Sequence, residues 1–138
     1  MEEFCNRLAH YYPFEVETIS NIKNTKQLSE EQQKTKEGEL IIQSFQAGDF
    51  VVLLDECGKE FTSVRFAEYI EKKVHAGLKR LVFVIGGAYG FSPAVYEAAH
   101  EKISLSKMTF PHQLVRLIFI EQLYRAMTIL QNEPYHHE

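Results

Sequence analysis

Hydrophobic residues along this 138-residue chain follow two rhythms, and their alternation predicts the fold. Phe50-Val51-Val52-Leu53-Leu54 and Leu81-Val82-Phe83-Val84-Ile85 are apolar without interruption. Both have strand length and no polar face, as expected of parallel strands covered on both sides. Residues 14–20, Phe-Glu-Val-Glu-Thr-Ile-Ser, alternate apolar and polar and predict a half-buried strand. Elsewhere the spacing is helical. Residues 2–12 read as a short amphipathic helix that Pro13 ends. A polar loop over 21–27 follows, and Ser29 is placed to cap the next helix. Gly48-Asp49 make a turn into the first apolar run. Val64, Phe66-Ala67, Tyr69-Ile70 and Val74 mark a helix over 62–77, with Gly77 at its C-terminal end. Ser92-Pro93 supply an N-cap and a proline in the first turn for a helix over 93–102. Residues 102–110 are extended or irregular. Pro111 opens a last helix whose stripe of Leu117, Ile120, Leu123-Tyr124, Met127 and Leu130 is a core or interface face. Pro134 closes it and leaves the tail Pro134-Tyr135-His136-His137-Glu138. The order is βαβαβα, which predicts a single α/β domain over 1–138 with a mostly parallel sheet.

Composition adds boundaries. No apolar run reaches the ~18 residues of a membrane span, and the acidic N-terminus is no export signal. Cys5 and Cys57 are therefore expected as reduced thiols in the cytoplasm. No Cys/His spacing suggests zinc, and no metal is expected. The net charge of −4 is uneven. Residues 1–56 carry 5 Lys/Arg against 11 Asp/Glu, and residues 57–138 carry 10 against 8. A nucleic-acid contact belongs in the second half, unless the charge is simply scattered over a solvated surface.

The candidate chemistry is concentrated after the second apolar run, in Val84-Ile85-Gly86-Gly87-Ala88-Tyr89-Gly90. Ligands of open parallel sheets sit beyond the carboxyl ends of the strands, and glycine lets them approach the backbone. The spacing is neither a dinucleotide fingerprint nor a phosphate loop, so a tight strand-to-helix turn explains it equally. Asp55 ends a buried strand and is either a ligand residue or the cap of the next turn. Arg125 follows Glu121 by four residues, the spacing of an ordinary ion pair. His10, His75 and His100 read as surface helical histidines. By residue type alone, His136-His137 read as a solvated end.

Three segments are more specific: Leu53-Leu54-Asp55-Glu56-Cys57-Gly58-Lys59, the Gly86-Gly87 run, and Ser106-Lys107-Met108-Thr109-Phe110-Pro111-His112-Gln113 followed by Tyr124-Arg125-Ala126 and the PYHHE tail. In this order and spacing, over roughly residues 14–138, they resemble the RlmH family. These are SPOUT-class methyltransferases of 23S ribosomal RNA that act on N3 of a pseudouridine. The resemblance implies an α/β-knot fold, in which the C-terminal segment passes through a loop to form a trefoil knot, against the general rule of unknotted chains. It implies a homodimer, S-adenosylmethionine as cofactor, and the ribosome as partner. Carried over, Leu54, Gly86, Gly87, Ser106, Lys107, Met108, Thr109, Phe110 and Pro111 bind the cofactor. His136 and Tyr135 stand at the target nitrogen, and Arg125 binds phosphate or favours the imidate anion. Family members begin with a strand before the first helix, and this chain starts inside that helix. Many relatives end in Pro-Tyr-His-Arg-Glu, where this chain has His137, a titratable group in place of a permanent cation. Two rival readings stand beside the methyltransferase: another nucleotide-binding α/β enzyme, and a non-catalytic ribosome-associated RNA-binding module.

Overall fold

A computed structural model describes residues 1–19, 27–87 and 89–137. Three strands, β1 (Asp49–Glu60), β2 (Arg80–Ile85) and β3 (Glu101–Ser104), form a parallel sheet in the order β2-β1-β3. The most continuous apolar run takes the centre. Val51, Val52 and Leu53 are 2%, 0% and 0% exposed, because helices cover both faces. Their side chains alternate between two cores. Val52 joins Phe66, Ile70, Phe119 and Leu123 under α1 (Glu2–Leu8), α3 (Ser63–His75) and α5 (His112–Leu130). Val51 and Leu53 join Ile41, Phe91 and Val95 under α2 (Glu30–Gln43) and α4 (Pro93–Ala98).

The predicted caps are present. The Ser29 hydroxyl accepts the Gln32 N–H at 3.1 Å, and the Gln32 side chain accepts the Ser29 N–H at 3.0 Å, a complete capping box. Ser92 accepts the Val95 N–H, with Pro93 opening α4. Two predictions fail. Residues 13–19 form no strand, and Ser20 with most of the predicted loop lies outside the described residues. The alternation is satisfied differently: Phe14 packs on the first core and Ile19 on the second. Helix α4 stops at Ala98, short of the predicted 102. The His100 N–H is drawn to the Val51 carbonyl at 2.8 Å and starts the next strand, so sheet pairing overrides helix propensity.

Candidate active site

The parallel register brings the sequence-predicted segments to one edge of the sheet. Leu54 lies beside Ile85 of β2 and beside Ile103 of β3. The Gly86-Gly87 turn therefore leaves β2 beside Leu54, and the segment after Ser104 leaves β3 beside Glu60, the last residue of β1. Strand β1 bulges past Leu54, so that Leu54 and Lys59 both oppose Ile103. Gly58 makes the bulge possible: a Cβ there would stand 2.6 Å from the Ile103 carbonyl carbon.

Each side of Leu54 is held by its own contacts. At Gly86 a Cβ would meet the Phe91 ring at 3.0 Å, and at Gly87 it would meet a Glu37 carboxylate oxygen at 2.9 Å. Glu37 reaches this turn because its neighbour Gly38 lets α2 close on α4, where a Cβ would lie 2.3 Å from the Ser92 hydroxyl. On the other side, the Ser104 hydroxyl donates to the Ser106 carbonyl at 2.9 Å, and the Ser106 hydroxyl accepts the Met108 N–H at 3.0 Å. Thr109 donates to Glu56 at 3.1 Å, and Lys107 lies 3.8 Å from Glu60. Phe110 is half-buried, whereas Pro111 is exposed and Met108 is 72% exposed. The residues that the resemblance carries over to this edge are glycine, apolar, hydroxyl-bearing or lysine, and the Glu37 and Glu56 carboxylates are not among them. Glu56 was legible within the Asp55-Glu56-Cys57-Gly58 stretch. Glu37 carried no signal, being one of four glutamates in a polar helix.

Asp55 proves to be a turn cap. It accepts the Cys57 N–H at 2.8 Å and the Tyr96 hydroxyl proton. Burial and this bond push the Tyr96 phenol up to about 12. His10 and His75 are exposed, as expected. His100 departs from its predicted helix: its Nδ1 accepts the Val51 N–H at 2.9 Å and its ring stacks on Phe50.

The remaining candidates gather at the other end of α5. The predicted Glu121–Arg125 pair forms, with Nε to Oε1 at 2.9 Å, but it belongs to a larger cluster. Asn132, left-handed with φ 56°, ends α5 with the Glu133 N–H on the Thr128 carbonyl at 2.8 Å and turns the tail back along the helix. Tyr135 donates to Glu121 at 3.1 Å, its ring packs edge-on against Tyr124 at 4.8 Å, and the Arg125 guanidinium lies 4.9 Å above it. Burial and the Glu121 bond raise the Tyr135 phenol, outweighing Arg125. His136 Nδ1 lies 3.0 Å from an Arg125 nitrogen. Guanidinium only donates, so Nδ1 accepts and a neutral ring carries its proton on Nε2. Tyr11 donates to Glu133 at 2.8 Å and ties the turn to the end of α1. Burial and Glu133 raise the Tyr11 phenol to about 12. His137 is exposed.

The two groups of candidates are separate within one chain. Arg125 is fourteen residues beyond Pro111 along α5, a rise of about 21 Å at ~1.5 Å per residue. Leu54, the glycine turn and the 106–111 loop form one edge. Tyr135, His136 and Arg125 form another.

Among the described residues, no group of three or more His, Cys, Asp or Glu side chains is placed to hold a metal. No helix described is long and apolar enough to cross a membrane. The family model described as "Predicted SPOUT methyltransferase" matches residues 1–136. A ribosomal RNA large subunit methyltransferase H of Parabacteroides distasonis is 70% identical over the whole chain, which spans 88% of that protein. Proteins of the same name from Phocaeicola vulgatus and Flavobacterium johnsoniae are 64% and 58% identical over the same extent. The sheet edge, the glycine turn and the histidine-bearing tail thus lie within a match that covers nearly every residue, and the chain belongs to the SPOUT methyltransferase family, among the ribosomal RNA large subunit methyltransferase H proteins.

Proposed function

We propose that this enzyme methylates N3 of a pseudouridine in 23S ribosomal RNA of the assembled ribosome, using S-adenosylmethionine and acting as a cytoplasmic homodimer. The observation that carries the reading is the 70% identity, over all 138 residues, to a large-subunit rRNA methyltransferase. The geometry supports it. The cofactor would lie along the edge formed by Leu54, Gly86-Gly87 and Ser106–Pro111, and would supply an electrophilic methyl group on a sulfonium. The edge suits that ligand. Its glycine turn is bare backbone, Phe110 and Met108 offer apolar contact, and the Glu37 and Glu56 carboxylates suit a cation. The trefoil knot of the family belongs to the same reading.

The substrate side falls to the tail. Arg125 holds the His136 ring through Nδ1, and in this reading His136 stands at the target nitrogen, whose N3 proton leaves to solvent before methyl transfer. The Arg125 cation favours the resulting anion, and Glu121 holds both Arg125 and Tyr135 in place. Tyr135 offers a ring for stacking on a base. Methyl transfer needs reacting atoms about 3–3.5 Å apart, which one chain cannot achieve across about 21 Å of helix. A second copy with its α5 antiparallel would bring a tail to each cofactor edge. The surface for such pairing is present: Met108, Leu114 and Leu117 are 72%, 42% and 38% exposed at the loop end of α5. The test is incubation with methyl-labelled cofactor and ribosomes lacking the modification, followed by mass spectrometry of digested 23S rRNA. Label on N3 of a pseudouridine is expected. Labelled ribosomal protein, or unlabelled RNA, would refute the reading.

A further inference from the structure

A cleft of about 400 Å³ opens beside β3, away from the glycine turn. It lies between α3, the β1 segment beyond the bulge and β3 itself, and four lysines line it: Lys59, Lys72, Lys73 and Lys102. Glu101 is the one acidic residue in its wall, which therefore carries +3 on a chain of net −4. That carboxylate is already committed. It accepts Lys73 at 2.8 Å and the Tyr69 hydroxyl at 2.6 Å. Burial pushes the Glu101 carboxyl up, but these two bonds outweigh it and hold the group ionised below its ordinary range. Lys73 is further enclosed by the rings of Phe50 and Tyr69, at 4.2 and 5.1 Å. It serves the wall of the cleft rather than its surface. Lys59, Lys72 and Lys102 differ in being exposed. Lys59 lies against the face of Phe61, which also lines the cleft, and Lys102 against Tyr96 at its border with a second hollow.

Two exposed amines on a concave, aromatic-walled surface, Lys59 and Lys72, with Lys102 at its rim and its ammonium over Tyr96, form a receptor for a polyanion, because each phosphate neutralised releases condensed counterions. Position makes the surface useful. Lys102 lies on the strand that runs into the 106–111 loop, four residues or about 13 Å from Ser106. Lys59 lies just past the bulge that follows Leu54. We infer that this cleft binds the sugar-phosphate backbone of the RNA substrate through Lys59, Lys72 and Lys102 and guides the target nucleotide toward the cofactor edge. The inference rests on the methyltransferase reading for its substrate, but not for its charge.

The test replaces all three lysines by glutamine and measures binding of a fluorescent single-stranded RNA 12-mer from 50 to 200 mM salt. Loss of three phosphate contacts should make the log K against log salt slope shallower by about 2. The Lys→Arg triple variant keeps the charge and should retain the slope. Calorimetric affinity for S-adenosylmethionine should be unchanged, and with ribosomes KM should rise while kcat is retained. Inorganic phosphate at millimolar concentration should compete weakly, and competition as strong as that of RNA would show a small-anion site instead. A wild-type slope in the glutamine variant, or no RNA binding by the wild type, overturns the inference. If the slope falls but the wild type methylates nothing, the activity reading fails and the RNA surface stands.

Discussion

The two ends of α5 are built in opposite ways. At its start the helix is open: Leu114 and Leu117 face solvent, and the preceding loop exposes Met108. From Phe119 to Thr128 seven of its ten residues are buried, and its far end is closed by the tail through Tyr11–Glu133, Tyr135–Glu121 and His136–Arg125. The open end carries the cofactor candidates and the closed end the substrate candidates. On the proposed reading these are two halves of one site that a second copy would join, and the exposed apolar surface lies at the open end.

Removing Tyr135–Glu138 should have the largest effect. Methyl transfer to ribosomes should fall by about 10²–10³-fold or more, the scale of a lost polar group at the reacting atoms, while calorimetric affinity for S-adenosylmethionine is kept. His136→Ala should cost more than His137→Ala, because only His136 is oriented by Arg125. A truncated chain with near wild-type turnover would make the closed end mere packing.

At the open end, Leu114→Glu with Leu117→Glu should halve the mass seen by light scattering at micromolar concentration. The fold should survive, since both residues are exposed in the single chain. An unchanged mass would place any pairing elsewhere. Gly87→Val sharpens the same end more gently. The Glu37 carboxylate can swing away from the new Cβ, so the protein folds, but the bare backbone is lost. Cofactor affinity should drop about tenfold or more by calorimetry, and an unchanged affinity would move the cofactor off this turn.

The smallest effect concerns the tie between α1 and the tail. The Tyr11 phenol has its folded pKa raised to about 12 from 10.0. Its contribution is fully present below pH 10 and is lost as pH rises toward 12, because ionised Tyr11 repels Glu133. Tyr11→Phe should cost about 0.5–1.5 kcal/mol at neutral pH by denaturant unfolding and should flatten the alkaline fall. An identical alkaline profile in Tyr11→Phe would remove Tyr11 from the docking of the tail.

Much of this was legible in the residues. Uninterrupted apolar runs gave the two longer strands, and Ser29 and Ser92 marked helix starts, because burial and capping are local signals. What failed was non-local. The alternation in 14–19 states which side chains are buried, not what pairs with the backbone, and Phe14 and Ile19 found different cores. The end of α4 was decided by a carbonyl of β1, 49 residues away in the chain. At the candidate site, motif resemblance pointed to the segments around Leu54, the glycine turn and the 106–111 loop, and to the tail, but not to Glu37, which reaches Gly87 because Gly38 admits the packing of α2 on α4. Nor did it anticipate that the polar tail would dock on its own helix.

The most direct test joins the two ends in different chains. Tail-truncated protein, with an intact cofactor edge, is mixed with Gly87→Val protein, with an intact tail, under conditions where mass spectrometry shows subunit exchange. Each is expected to be impaired alone, the Gly87→Val protein at cofactor concentrations well below its weakened Kd. If sites form between chains, random pairing should restore about one quarter of wild-type methyl transfer, since each mixed dimer regains one of its two sites. Activity no greater than the sum of the separate proteins, with mixed dimers demonstrated, would contradict a site assembled from opposite ends of two α5 helices.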